Sequence, residues 1–232
     1  MHPSADRFSR ALRPAPGVLF AILALVGVSS PTLGQRDDAA TDAGRRAQFA
    51  QGCERRDPVA CYGLAVMLEQ GRDGPADPAR AHALYASACE SKVVEGCLYA
   101  GAMLGEGRGG LPVDTERAIG FFRKACDGGN GEACYHLGSY LMERSDAAGL
   151  GTDAADRLEA RTAFLGACEG GDGQGCFNGA TMLTNGAGGP PDAQAAREVY
   201  DRGCALGEVQ SCFNLGGLLV RARASQDGSQ IA

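Results

Sequence analysis

The stretch Ala125-Cys126-Asp127-Gly128-Gly129-Asn130-Gly131-Glu132-Ala133-Cys134 decides the fold. Its C-x7-C spacing recurs as Cys53 and Cys61, Cys89 and Cys97, Cys168 and Cys176, and Cys204 and Cys212, which accounts for all ten cysteines. First members follow one another at 36, 37, 42 and 36 residues. That period is in the range of helical-hairpin repeats and makes the chain an array of similar units. The flanks share the register. An aromatic stands four positions before each first cysteine (Phe49, Tyr85, Phe122, Phe164, Tyr200) and a small residue one position before it (Gly52, Ala88, Ala125, Ala167, Gly203). After each second cysteine, position +4 is Ala or Gly (Ala65, Gly101, Gly138, Ala180, Gly216) and position +7 is leucine (Leu68, Leu104, Leu141, Leu183, Leu219). Offsets of 3, 4 and 7 are helical.

Each unit therefore reads as two helices, A beginning near the second cysteine of a pair and B ending near the first cysteine of the next. Between A and B lie Gly71 to Pro75, Gly105 to Pro112, Ala147 to Thr152 and Gly186 to Pro191, whose Gly and Pro stop one helix before the next begins. Asp77, Asp114, Asp153 and Asp192 stand where N-caps are wanted, and Pro78 suits a first helical turn. The 42-residue spacing puts the extra residues of the third unit into the turn before Asp153. Gly105-x-Gly107-x-Gly109 has no strand before it and matches Gly-rich turns elsewhere in the repeat, so it reads as a turn and not as a nucleotide site.

Residues 1–34 have the parts of a secretory signal peptide: Arg7, Arg10 and Arg13, an apolar run from Val18 to Val28, and small residues Thr32 and Gly34 before Gln35. The expected divisions are this signal at 1–34, a flexible mature N-terminus at 35–42, the repeat array at 43–223 and a disordered tail at 224–232. Localisation is then periplasmic or secreted, with no membrane insertion after cleavage. A composition of 44% hydrophobic and 22% charged residues is globular, and an aromatic share of 6% leaves a core of Ala, Leu, Val and cystine. The net charge is -6, and removing residues 1–34 leaves 19 basic against 27 acidic side chains. With Lys92 and Lys124 as its only lysines, the chain lacks the basic surface that nucleic acid requires.

The units Gly96-Cys97-Leu98-Tyr99-Ala100-Gly101 through Cys126, and Gly175-Cys176-Phe177-Asn178-Gly179-Ala180 through Cys204, resemble Sel1-like repeats. With C-x7-C in every unit, the chain resembles the cysteine-rich secreted branch typified by the Helicobacter cysteine-rich proteins, over roughly Ala43 to Arg223. It departs from that pattern in its long third unit, in Gly179-Ala180 where Leu-Gly is usual, and in ending on a lone A helix. The resemblance implies an all-α fold: a right-handed α/α solenoid of helix-turn-helix repeats, stapled by disulfides.

Paired cysteines serve as disulfides, metal ligands or redox centres. Zinc sites favour two to four residues between ligands and dithiol centres favour C-x-x-C, so seven intervening residues in an exported chain point to structural disulfides. If one cysteine ends helix B and the other begins the following helix A, the turn brings them side by side. Each such local bridge contributes about 2.5 kcal/mol in the chain-entropy account.

The function expected is a non-catalytic extracytoplasmic scaffold that binds a protein or peptide, with no cofactor and no metal. The alternative implied by the resemblance is a β-lactam-binding protein or weak β-lactamase. The residues give that alternative little, since no S-x-x-K occurs and the only histidines after the signal, His82 and His136, belong to different units. Asp153 with Asp156, and Glu143 with Asp146, read as capping or solvated charges. On the A helices, positions +2, +5 and +9 form a second, polar stripe: Tyr99, Ala102, Glu106; His136, Ser139, Glu143; Asn178, Thr181, Asn185; and Asn214, Gly217, Arg221. Tyr99, His136, Glu143, Asn178, Asn214 and Arg221 are the candidate ligand-binding residues, because amide side chains both donate to and accept from an extended peptide backbone.

Non-reducing peptide mapping tests the pairing. Cys53–Cys61, Cys89–Cys97, Cys126–Cys134, Cys168–Cys176 and Cys204–Cys212 are expected as five bridged peptides, and a link between different C-x7-C segments contradicts it.

Overall fold

The computed structural model describes the backbone of residues 37–147 and 154–229 and the side chains of residues 44–147 and 154–223. The signal segment 1–34, residues 35–36 and 230–232, and the cap expected at Asp153 lie outside the described residues. Ten α-helices and a 3-10 turn at Arg108–Gly110 fill the described residues, which include no strand. The helices are α1 (Asp37–Glu54), α2 (Pro58–Gln70), α3 (Pro78–Glu90), α4 (Val94–Glu106), α5 (Thr115–Asp127), α6 (Gly131–Ala147), α7 (Ala154–Glu169), α8 (Gly173–Asn185), α9 (Ala193–Ala205) and α10 (Val209–Ser229). Even-numbered helices are the A helices and odd-numbered ones the B helices. Each packs chiefly on its neighbours in sequence, which makes the array an α/α solenoid. Helix continues beyond 43 and 223 at both ends: residues 37–42 belong to α1 and residues 224–229 to α10. The cysteine register marks repeat contacts, whereas helix extension needs only a run without proline.

The B-to-A corner is the same in all five places. Three residues after each first cysteine the backbone turns left-handed, at Arg56 (φ 65°), Lys92 (67°), Gly129 (86°), Gly171 (89°) and Gly207 (88°). The amide of the next residue then donates back to the carbonyl of the small residue before the cysteine: Asp57 to Gly52, Val93 to Ala88, Asn130 to Ala125, Asp172 to Ala167 and Glu208 to Gly203, at 2.9–3.1 Å. This is a Schellman-type helix end. At every corner except that of α4, where Val93 makes no side-chain cap bond, the same residue caps the incoming A helix, and Glu208 does so by accepting from Gln210 N at 3.2 Å. Asp57 accepts from Val59 N, Asn130 from Ala133 N and Asp172 from Gly175 N, at 2.7–3.0 Å. Asp77, Asp114 and Asp192 cap the B helices through the amides of Arg80, Arg117 and Ala195.

The corner brings each pair of cysteines together. All five C-x7-C pairs are disulfide-bonded, with Cα atoms 4.4–4.6 Å apart. Helices so close leave no room for side chains beside the bridge, and the preceding positions of the two helices meet as small pairs. A Cβ at Gly175 would stand 2.5 Å from the Ala167 Cβ, and one at Gly96 would stand 2.9 Å from the Tyr85 carbonyl oxygen. Farther along each A helix, the +4 residue seats the aromatic of the following B helix. The ring of Phe122 lies 3.0 Å from where a Gly101 Cβ would be, and that of Phe164 lies 2.8 Å from the Gly138 position. Leu104 and Leu141 close over Ala118 and Phe122 and over Ala160 and Phe164, in a core that runs through the middle units. Leu68 with Ala81 and Tyr85, and Leu183 with Ala196 and Tyr200, form the corresponding clusters on either side.

The long third unit is joined by ions. Arg144 of α6 makes a bidentate pair with Asp156 of α7, both contacts at 2.7 Å, and reaches Glu116 of α5 at 2.8 Å. Arg157 donates to the buried Ser145 hydroxyl at 2.9 Å. Asp156 is thus neither a cap nor a solvated charge. Its side chain is 12% exposed, and the Arg144 hydrogen bonds hold its carboxyl below the ordinary carboxylate range.

Two kinds of glycine are separable by substitution. Gly129→Ala, where a Cβ meets nothing but the positive φ, should cost about 1 kcal/mol, while Lys92→Gly at the equivalent position should gain about 0.5–1 kcal/mol. Gly175→Ala should cost about 1–3 kcal/mol by overpacking. Urea unfolding of the oxidised variants measures all three.

Candidate functional site: the polar face of the A helices

Position +1 after each second cysteine carries Tyr62, Leu98, Tyr135, Phe177 and Phe213, and position +2 carries Tyr99, His136, Asn178 and Asn214 in the last four units. On α2, α4 and α6 these residues meet the aromatics of the B helices. Tyr62 lies 5.7 Å from Tyr85 and 6.0 Å from Tyr99, and Tyr85 stacks on Tyr99 at 5.4 Å. Burial, helped by Tyr99 and Glu95, pushes the Tyr62 phenol up to about 12. Burial and then Glu69 raise Tyr85 further. The Tyr85 hydroxyl donates to Glu69 Oε2 at 2.8 Å. Arg108, from the 3-10 turn, lies 3.6 Å from Glu69 and donates to Glu106 at 2.7 and 3.2 Å. That pair holds Glu106 below the usual carboxylate range, with His136 adding to the effect.

His136 and Tyr140 both stack on the buried ring of Phe122, at 5.1 and 5.5 Å. Glu143, on the same helix, is exposed. Ser139 donates its hydroxyl to the Tyr135 carbonyl at 3.0 Å, a bond within its own helix. Ala102, at the +5 position of α4, is buried, so there the stripe meets the core.

A second cluster lies between α8 and α10. A pocket of about 400 Å³ is lined by Thr181, Asn185, Tyr200, Phe213, Asn214 and Arg221 among others. The Asn214 side-chain amide donates to the Tyr200 hydroxyl at 3.1 Å, which is itself 3.0 Å from the Thr181 hydroxyl. Because Thr181 gives its own hydrogen to the Phe177 carbonyl at 2.8 Å, Tyr200 must donate to Thr181 while accepting from Asn214. Phe213, 80% exposed, places an aromatic surface beside these groups.

Of the candidate residues, the structure brings Asn214 and Arg221 into one pocket and places Tyr99 and His136 in aromatic clusters on α4 and α6. Asn178 is half-buried on α8. Tyr62 and Phe213 carry a readable signal, the recurrent aromatic at +1. Glu69, Arg108 and Tyr140 follow no repeat position. Among the described residues no group of three or more His, Cys, Asp or Glu side chains is placed to hold a metal ion, and no helix is long and apolar enough to cross a membrane.

A profile of the Sel1 repeat matches residues 58–93, 94–130, 131–160 and 173–208. Among solved structures the chain is similar to a protective antigen present in uropathogenic Escherichia coli strains that displays an SLR fold, at 25% identity and a TM-score of 0.61, over 75% of this chain and 36% of that one. It is also similar to a Sel1 repeat protein from Oxalobacter formigenes, at 21% identity and a TM-score of 0.55, over 75% of this chain and 66% of that one. A match to Helicobacter pylori cysteine rich protein B has 21% identity and a TM-score of 0.43, over 59% of this chain and 93% of that one. The chain thus spans about a third of the first structure's length. No curated protein sequence matches.

Tyr200→Phe should release Asn214 and Thr181 together and cost about 1 kcal/mol. Thermal unfolding reads the loss, and the Asn214 side-chain amide resonance reports the broken hydrogen bond.

Proposed function

The chain belongs to the Sel1 repeat family, and from that premise we propose that it is an extracytoplasmic scaffold whose A helices hold an extended peptide segment of another protein. The observation that carries this reading is the pocket between α8 and α10. It sets an amide, two hydroxyls and a guanidinium, from Asn214, Thr181, Tyr200 and Arg221, beside an exposed phenyl ring. An extended peptide offers a backbone donor and acceptor at every residue, which amides and hydroxyls can match, and apolar side chains that Phe213 can cover. Asn214 is held in place by Tyr200 before any ligand arrives, which lowers the ordering cost of binding. Five local disulfides and the apolar run from Val18 to Val28 support an oxidising compartment, periplasmic or external. The acidic balance of the chain keeps nucleic acid out of the proposal.

Panning a random octapeptide library on the oxidised chain, alongside the Asn178→Ala/Asn214→Ala variant, tests the reading. Peptides selected by the parent chain should lose about tenfold or more in affinity for the double variant, with its melting temperature little changed. Equal affinity for the double variant removes the α8–α10 region as the site.

A further inference from the structure

Four A helices are covered in the same way. Their +7 leucines, Leu68, Leu104, Leu141 and Leu183, are at most 7% exposed. What covers them is a B helix bearing a buried alanine with an aromatic four residues on: Ala81 and Tyr85, Ala118 and Phe122, Ala160 and Phe164, Ala196 and Tyr200. The fifth A helix, α10, carries the same mating positions with no such cover among the described residues. Leu219 is 45% exposed, and a Cβ at Gly216 would meet nothing within 4 Å, where Gly101 and Gly138 each face a phenyl ring. Beside these positions, α9 and α10 form a groove of about 780 Å³ lined by Arg197, Glu198 and Asp201 of α9 and by Leu215, Leu218 and Leu219 of α10. It continues the packing made by α5, α7 and α9, each of which lies against its own A helix and the preceding B helix.

We propose that this groove binds an amphipathic helix of a partner protein, carrying an alanine, an aromatic residue four positions later, and an arginine directly before the alanine. The first two requirements come from the covering helices. The third comes from the contact between successive B helices. Arg123 of α5, three residues before its cysteine, pairs with Glu159 of α7, nine residues before its own, at 2.5 Å. In α9 the residue three before the cysteine is Asp201, so the groove presents a carboxylate where the incoming helix has the position preceding its alanine. A second copy of this chain does not meet the code through its first described B helix: α1 has Arg45 where the covering helices have the buried alanine. The groove is separate from the peptide pocket proposed above, and neither Asn178 nor Asn214 lines it.

The chain supplies its own probe, because α5 contains Arg117-Ala118 followed by Phe122. A fluorescent peptide of residues 114–127 with Cys126→Ser, titrated into the oxidised full chain, should bind saturably with a Kd on the order of 10–100 μM, weakened by the cost of ordering a short helix. Leu219→Asp, and Gly216→Leu, which fills the ring seat, should each weaken binding about tenfold. Both sites are exposed, and unchanged circular dichroism verifies the fold. Phe122→Ala in the peptide should do the same. Arg117→Glu in the peptide should weaken binding to the parent chain and recover it with Asp201→Lys. Absence of saturable binding, or binding indifferent to both groove variants, overturns the proposal. Concentration-dependent self-association in analytical ultracentrifugation, abolished by Leu219→Asp, also overturns it by making a second copy the occupant.

Discussion

Two helices whose Cα atoms are held about 4.5 Å apart at a disulfide can have almost nothing between them, and the rest of this array follows from that approach. Gly52 with Ala60, Ala88 with Gly96, Ala125 with Ala133, Ala167 with Gly175 and Gly203 with Ser211 line the crossing, where a larger side chain would collide with its neighbours across the crossing. The same proximity demands an abrupt reversal of the chain, which a single left-handed residue provides three positions after the first cysteine. Three of those five residues are glycine. Arg56 and Lys92 take the conformation against their own preference, held by the hydrogen bonds that close the corner on either side. Bridge, small pair and left-handed residue form one device, used five times, and a side-chain cap completes it everywhere but at Val93.

With helix spacing set at one end by the bridge, packing at the other end depends on a ring meeting a small residue. In the middle units the aromatic of the B helix seats against the +4 glycine of the A helix, Phe122 at Gly101 and Phe164 at Gly138. Phenylalanine there contributes only area. Tyrosine contributes a hydroxyl, and the two well-described polar clusters are organised around such hydroxyls: Tyr85 donates to Glu69, and Tyr200 ties Asn214 to Thr181. The choice between Phe and Tyr at one core position therefore decides where the array presents ordered polar groups. Phe122, with no hydroxyl to offer, serves instead as the platform on which His136 and Tyr140 stack.

Units that share a device need not share its details. The third unit uses Arg144, Asp156 and Glu116 to tie three helices together. Such a pair specifies register more than it adds stability, because both ions lose water on burial. The described array begins on a B helix and ends on an A helix, so its two ends differ chemically: α1 presents Arg45 at the mating position, and α10 presents leucines and an empty ring seat.

The ten cysteines, the aromatics four positions before them and the leucines seven after them were enough to read helix pairs, their order and their stacking, because each of those features acts through local periodicity and recurs in every unit. The caps at Asp77, Asp114 and Asp192 were equally legible, since a cap is a contact between residues three apart. Residues that act across units were not. Asp156 reads as a helix-end charge, but α6 places Arg144 against it, and Arg108, paired with Glu106 of its own unit, also reaches Glu69 in the preceding one. Position +5 reads as part of a polar stripe, yet Ala102 is buried. Sequence periodicity sets which side of a helix a residue occupies, but the neighbours that reach that side come from other units, and only their packing decides which polar groups meet and which face is left uncovered.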